Sequence, residues 1–173
     1  NGLNIHHMNT VARRREPLLL QYMYLYNKDF APEGSSQWYD YYDEESVEGG
    51  DVLVLSDEIV AIGLSQRTTV AGIERFARNV LSGDSGYKKI LVFDIPKSRA
   101  FMHLDTVFTK VDFDKFTIHP EIEGPLQLFE ITLDKDGEAH FASMTDSLEN
   151  ILKAELGLPA VDLIRCGGND LQA

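Results

Sequence analysis

The chain has 173 residues, a length that can bury roughly 70% of the surface exposed by the unfolded form, so a sizeable core is expected. Hydrophobic residues make up 43% and charged residues 25%, which excludes a disordered chain, and no apolar run approaches the ~18 residues of a membrane span. A net charge of -12 argues against a nucleic-acid partner and suits a protein that draws in cationic ligands.

In chain order, residues 1 to 9 read as strand or loop, and Thr10 is a plausible N-cap for a helix in which Leu18, Leu19, Tyr22, Met23 and Tyr26 recur at helical spacing. One face of that helix is expected to be buried. A Pro/Gly loop over 29 to 36 leads to an extended stretch, Trp38 to Tyr42, and an acidic turn. Asp51 to Leu55 and Ile59 to Gly63 form a hairpin across residues 56 to 58, followed by an amphipathic helix, Thr69 to Leu81, and an apolar strand, Lys88 to Ile95. Phe101 to Val111 and Phe116 to His119 read as a second hairpin, Pro125 to Leu133 as a further strand, Ser147 to Leu156 as a helix and Val161 to Arg165 as a strand. The result is about two strand-strand-helix-strand units with mixed sheets, an α/β pattern without a linker, read as one domain over 1–173.

Two motifs carry candidate chemistry. In Glu48-Gly49-Gly50-Asp51 two acids bracket two glycines, whose missing Cβ atoms let backbone and ligand approach closely. The plain alternative is a tight turn with both acids solvated. In His103-Leu104-Asp105, residues i and i+2 of a strand share a face, so the Asp105 carboxylate would orient the His103 imidazole for proton transfer. The plain alternative there is a surface histidine near an acid. Arg13 and Arg67 offer guanidinium forks for a carboxylate, while Arg14 and Arg15 are expected to make ordinary surface salt bridges.

Other features carry less. His6 and His7 point apart on a strand and lie far in sequence from His119 and His140, so no metal site is expected. Gly167-Gly168-Asn169-Asp170 hints at phosphate binding but fits no fingerprint. Cys166 is the sole cysteine, which rules out an intrachain disulfide, favours a reducing, cytoplasmic compartment, and reads as a buried structural thiol.

Together, residues 48–55 (Glu48-Gly-Gly-Asp-Val-Leu-Val-Leu55), 61–68 (Ala61-Ile-Gly-Leu-Ser-Gln-Arg-Thr68), 96–109 with Met102-His-Leu-Asp-Thr106 at their centre, 116–122 and 165–168 resemble arginine deiminase. The resemblance runs from Arg13 to Gly168. It implies a pentein fold, a five-bladed α/β propeller of strand-strand-helix-strand modules, of which this chain would be a partial piece: a single incomplete catalytic domain. It implies hydrolysis of L-arginine to L-citrulline and ammonia through a cysteine thiolate, with no metal or organic cofactor. Glu48 and Asp105 would hold the guanidinium, His103 would shuttle protons, Arg13 and Arg67 would grip the substrate carboxylate, and Asp51 would orient the site. The nucleophilic cysteine's glycine-rich segment and a further upstream aspartate are absent from this chain, so the chain alone is expected to be inactive. The alternatives are another guanidine-modifying pentein enzyme such as an agmatine deiminase, or a non-catalytic binding or assembly module. Module faces left open would favour self-association, making a homo-oligomer part of the expectation.

Overall fold

The computed structural model describes residues 2–167. β1 (Gly2–Asn4) pairs in parallel with β2 (Ser36–Tyr39), and between them a 3-10 turn (Val11–Arg13) leads into α1 (Glu16–Tyr26). Then β3 (Val52–Val54) runs antiparallel to β4 (Ile59–Leu64), and α2 (Val70–Ser82) crosses over to β5 (Lys89–Asp94), which lies parallel to β4. The same ββαβ wiring recurs. β6 (Phe108–Lys110) is antiparallel to β7 (Lys115–Ile118), and after a short helix α3 (Pro120–Glu123), a hairpin of β8 (Gln127–Leu133) and β9 (Ala139–Met144), and α4 (Leu148–Leu156), β10 (Asp162–Arg165) lies parallel to β7. The inserted hairpin does not stay with its own unit: β8 pairs with β5, giving a first sheet ordered β3-β4-β5-β8-β9 and a second ordered β10-β7-β6.

Each unit has a 3-10 turn immediately or almost immediately before its first strand: Gly49–Asp51 before β3 and Leu104–Thr106 before β6. These two turns are the equivalent parts of the repeat that carry the candidate motifs.

β4 and β5 are covered on both faces, which explains their nearly unbroken apolar sequence. Val60, Ile62, Ile90 and Val92 point to a core under α2 with Ile73, Phe76, Ala77 and Val80. Ala61, Leu91 and Phe93 alternate to the opposite face and join a second core with Phe108, Phe116, Ile118 and Leu152, so this core is shared by both sheets. At its centre Phe108 stacks on Phe93 at 4.8 Å and on Phe116 at 5.5 Å between ring centroids.

Four sequence expectations are corrected. Residues 101–111 do not form one strand; the chain turns through Leu104–Thr106 and pairs only from Phe108 to Lys110, because the buried Asp51 carboxylate captures the Leu104 N–H at 2.8 Å. α1 does not bury an apolar face: Leu19, Tyr22, Met23, Leu25 and Tyr26 are exposed, while Pro17 and Gln21 are buried. Apolar side chains surround that helix instead of forming a stripe, and polar ties anchor it, Gln37 donating to Gln21 at 2.8 Å and Tyr24 to the Ser35 carbonyl at 3.0 Å. Cys166 is exposed, since it follows β10, an edge strand of the second sheet. Arg14 and Arg15 are exposed and form no ion pair among the described residues, long side chains at a helix start gaining little from fixed partners. The run 167–170 lies outside the described residues from Gly168 onward. No described helix is long and apolar enough to cross a membrane.

Candidate active site

Glu48 and His103 stand in corresponding positions, each the extended residue that caps one of the two 3-10 turns. Their side chains meet: His103 Nε2 lies 2.9 Å from Glu48 Oε2. A carboxylate can only accept, so Nε2 carries the proton in this pair. The acid that partners the imidazole is therefore Glu48, from the other repeat, and not Asp105 from the same segment. The i,i+2 argument for Asp105 fails because the segment is a turn and not a strand.

Glu48 is 2% exposed and fully engaged. Its Oε2 also accepts from Arg13 Nη1 at 3.2 Å, and its Oε1 from the Asn9 N–H at 3.3 Å. Arg13 in turn forks onto Glu16 through Nε and Nη2 at 2.9 and 2.8 Å, and this pairing holds its guanidinium above the ordinary arginine range. Glu16 in the first turn of α1 offsets the cost of placing basic residues at a helix start.

Asp105 is exposed, and its carboxylate has no hydrogen-bond partner among the described residues. It nevertheless shares a corner with His103. A Cβ built on Gly50 would come within 3.0 Å of Asp105 Oδ2 and of His103 Cγ and Nδ1, so the glycine leaves the space in which the two turns face each other.

Asp51 is different in kind. It is 0% exposed and accepts from Thr68 Oγ1 at 2.6 Å, Ser65 Oγ at 2.7 Å and the Leu104 N–H at 2.8 Å. Burial pushes its carboxyl up, opposed by the Thr68 and Ser65 hydroxyls, the Leu104 N–H and nearby His103. Ser65 Oγ already accepts from the N–H groups of Arg67 and Thr68, and Thr68 Oγ1 from that of Glu48, so both direct their protons at Asp51, which stands as the acceptor of all three bonds.

Arg67 is half-buried, donates to the Thr10 hydroxyl and lies 3.8 Å from Met102 Sδ, beside His103. It makes no hydrogen bond or ion pair with Glu48, Asp51 or Asp105. The fold thus brings Glu48, His103, Asp105 and Arg13 to one corner, with Arg67 at its margin and Asp51 beneath. A cleft of about 510 Å³ lined by Leu55, Asp57, Glu58, Lys110 and Phe113 shares none of these residues. Ser65 and Thr68 were not singled out from sequence; two hydroxyl residues three apart in the loop leaving β4 are the signal that could have found them.

The remaining histidines have other partners. His6 packs edge-on to Tyr39 at 4.6 Å, His7 stacks with Tyr41 at 6.0 Å, His140 meets Asp134 at 3.2 Å, and His119 caps α3 by accepting from the Glu121 N–H at 3.3 Å.

Fold and site define a class: an α/β protein of repeated ββαβ units whose paired turns set carboxylates and an imidazole against one another. Comparison with known proteins narrows it. The arginine deiminase family model matches residues 1–173. Arginine deiminases from Streptococcus pyogenes serotypes M3 and M49 are each 44% identical over 172 residues, covering 99% of this chain and 42% of theirs. The chain belongs to the arginine deiminase family, and it spans 42% of the length of the curated relatives it matches.

Proposed function

We propose that this chain is the central part of an arginine deiminase, a portion of a pentein propeller and an incomplete catalytic domain. The observation that carries the reading is the Glu48–His103 contact of 2.9 Å, formed between two repeats beside an Asp105 carboxylate that is unpaired among the described residues. Glu48 already holds a guanidinium, that of Arg13 at 3.2 Å, which supports its capacity to take one from a substrate. A planar cation between Glu48 and Asp105 would gain charge-assisted hydrogen bonds on two sides and be held in line for attack.

In the whole enzyme a cysteine thiolate from outside these residues attacks the guanidinium carbon, the C–N bond breaks, and His103 delivers the proton with which ammonia leaves. Water then loses a proton to His103 as it adds to the same carbon, releasing citrulline and restoring the thiolate. Arg13, once exchanged off Glu48, and Arg67 hold the substrate carboxylate, which favours L-arginine over agmatine. Asp51, being buried, serves by fixing the two turns. No organic cofactor enters this scheme. A cytoplasmic setting suits the free thiolate, and the exposed face of α1 suits a homo-oligomeric whole protein.

The test compares the full-length protein with this chain. Full-length protein is expected to form citrulline from L-arginine and little from agmatine, with His103→Ala and Glu48→Ala each lowering kcat/KM at least a hundredfold. The chain alone is expected to form no more citrulline than its own Glu48→Ala variant. Failure of the full-length protein to turn over arginine, or turnover by the chain above that control, overturns the proposal.

A further inference from the structure

The two ends of the Glu48-to-Asp51 turn are tied together by a side chain that is not part of it. Thr68, 0% exposed, accepts the Glu48 N–H at 3.1 Å and donates to Asp51 Oδ2 at 2.6 Å, so a single hydroxyl grips both ends of the four-residue turn. The other oxygen of Asp51 accepts the N–H of Leu104, the residue after His103, at 2.8 Å. A continuous path therefore runs from the Glu48 backbone through Thr68 and Asp51 to the turn that His103 caps. Both residues of the 2.9 Å Glu48–His103 pair hang from it.

Chemistry narrows what position 68 can hold. It needs one donor and one acceptor on the same atom, delivered into a fully buried space. Valine matches the shape but leaves the Glu48 N–H buried without a partner and Asp51 one donor short. Serine retains the hydroxyl. The neighbouring Thr69 provides an internal contrast: its side chain caps α2 by accepting the Gly72 N–H at 3.1 Å, while its tie to the Ser46 carbonyl runs through its backbone N–H and survives substitution.

We propose that Thr68 is a positioning residue for the arginine deiminase reaction, its hydroxyl setting Glu48 and His103 against each other without touching substrate. The inference rests on the function proposed above. Because Thr68 acts on geometry, its loss falls on kcat: a shift of about 1 Å in a catalytic pair costs on the order of a hundredfold in rate.

The experiment measures kcat and KM for L-arginine in the full-length protein and in Thr68→Val, Thr68→Ser and Thr69→Ala, with the thermal midpoint of each. Expected are a ten- to hundredfold lower kcat with KM within threefold for the valine variant, restoration to within threefold of wild-type kcat by serine, and unchanged kcat with a lowered midpoint for Thr69→Ala. Where the valine variant does not fold, Thr68→Ala carries the same expectation. The proposal is overturned by a valine or alanine variant that keeps more than half of wild-type kcat, by a serine variant as slow as valine, or by an equal kcat loss in Thr69→Ala. An inactive wild type overturns the functional reading instead, and hydrogen exchange at the Glu48 amide, fast in Thr68→Val and slow in Thr68→Ser, then decides whether the hydroxyl holds the turn.

Discussion

A methyl group at position 63 has no room. Gly63 lies in β4, and a Cβ there would stand 2.6 Å from Asp51 Oδ1 and 2.8 Å from Leu104 Cβ. Neither neighbour is the free end of a flexible chain: the carboxylate is fixed by three donors and Leu104 is fully buried. Gly63→Ala is therefore expected to cost about 1–3 kcal/mol in urea unfolding, the usual range for overpacking. Gly124→Ala, at a helical backbone angle with nothing within 4 Å of the added carbon, serves as the control and is expected to change stability by less than about 0.5 kcal/mol. Equal stability of the two variants would refute the close-packing argument. His6 makes a second prediction at this scale. Its Nε2 is buried without a hydrogen-bond partner among the described residues, and burial lowers its pKa to about 4. The unfolded chain, with an ordinary value near 6.5, then binds the proton more readily than the folded one. The stability this neutral imidazole preserves is complete above about pH 6.5 and is lost as pH falls toward 4. Between pH 7 and 4 the wild type should lose about 2–3 kcal/mol more than His6→Gln, measured by urea titration at each pH. Parallel losses in both would show that His6 is not the titrating group.

At the scale of elements, sequence patterns found what is local. The hairpin before α2 runs β3 to β4 as expected from the turn residues at 56–58, and α2 begins at Val70 behind the Thr69 cap, with Ile73, Phe76, Ala77 and Val80 buried. What they could not reveal depends on a partner distant in the chain. Alternation around His103 suggests a strand, yet Asp51, 53 residues upstream, takes the Leu104 N–H and bends the segment into a turn. The same long-range contact transfers the imidazole from Asp105 to Glu48, so the candidate residues were visible while their pairing was not. β8 reads locally as a strand of the second unit, but besides its hairpin mate β9 it pairs with β5 of the first. In α1 the apolar spacing is real and nothing described covers it, because spacing records which residues could face a core and not whether one is present. The two 3-10 turns show most directly how the site arises: repetition of one unit places two short turns at equivalent positions, and divergence in their residues supplies an acid from one and an imidazole from the other.

At the scale of the whole molecule, the question is whether the two sheets unfold together, since the site depends on holding a turn from each unit in register. The physical link is the shared core, and Phe108 is its middle member, stacked on Phe93 of the first sheet and Phe116 of the second and only 1% exposed. Truncating a buried phenylalanine costs about 3–5 kcal/mol, a large part of the roughly 5–15 kcal/mol that holds a typical domain folded. Where that loss is felt discriminates between one cooperative body and two. Trp38, the single tryptophan, sits in β2 and packs against Tyr87 and the core under α2, so its fluorescence reports on the first unit alone. Phe108→Ala removes atoms from the second unit. If the sheets form one cooperative structure, the variant shifts the urea transition seen by Trp38 as far as the one seen by far-ultraviolet circular dichroism, and both remain single steps. A Trp38 transition left in place while the dichroism transition moves or splits would mean that the first unit stands without the second, and that the Glu48–His103 contact is made between two bodies free to separate.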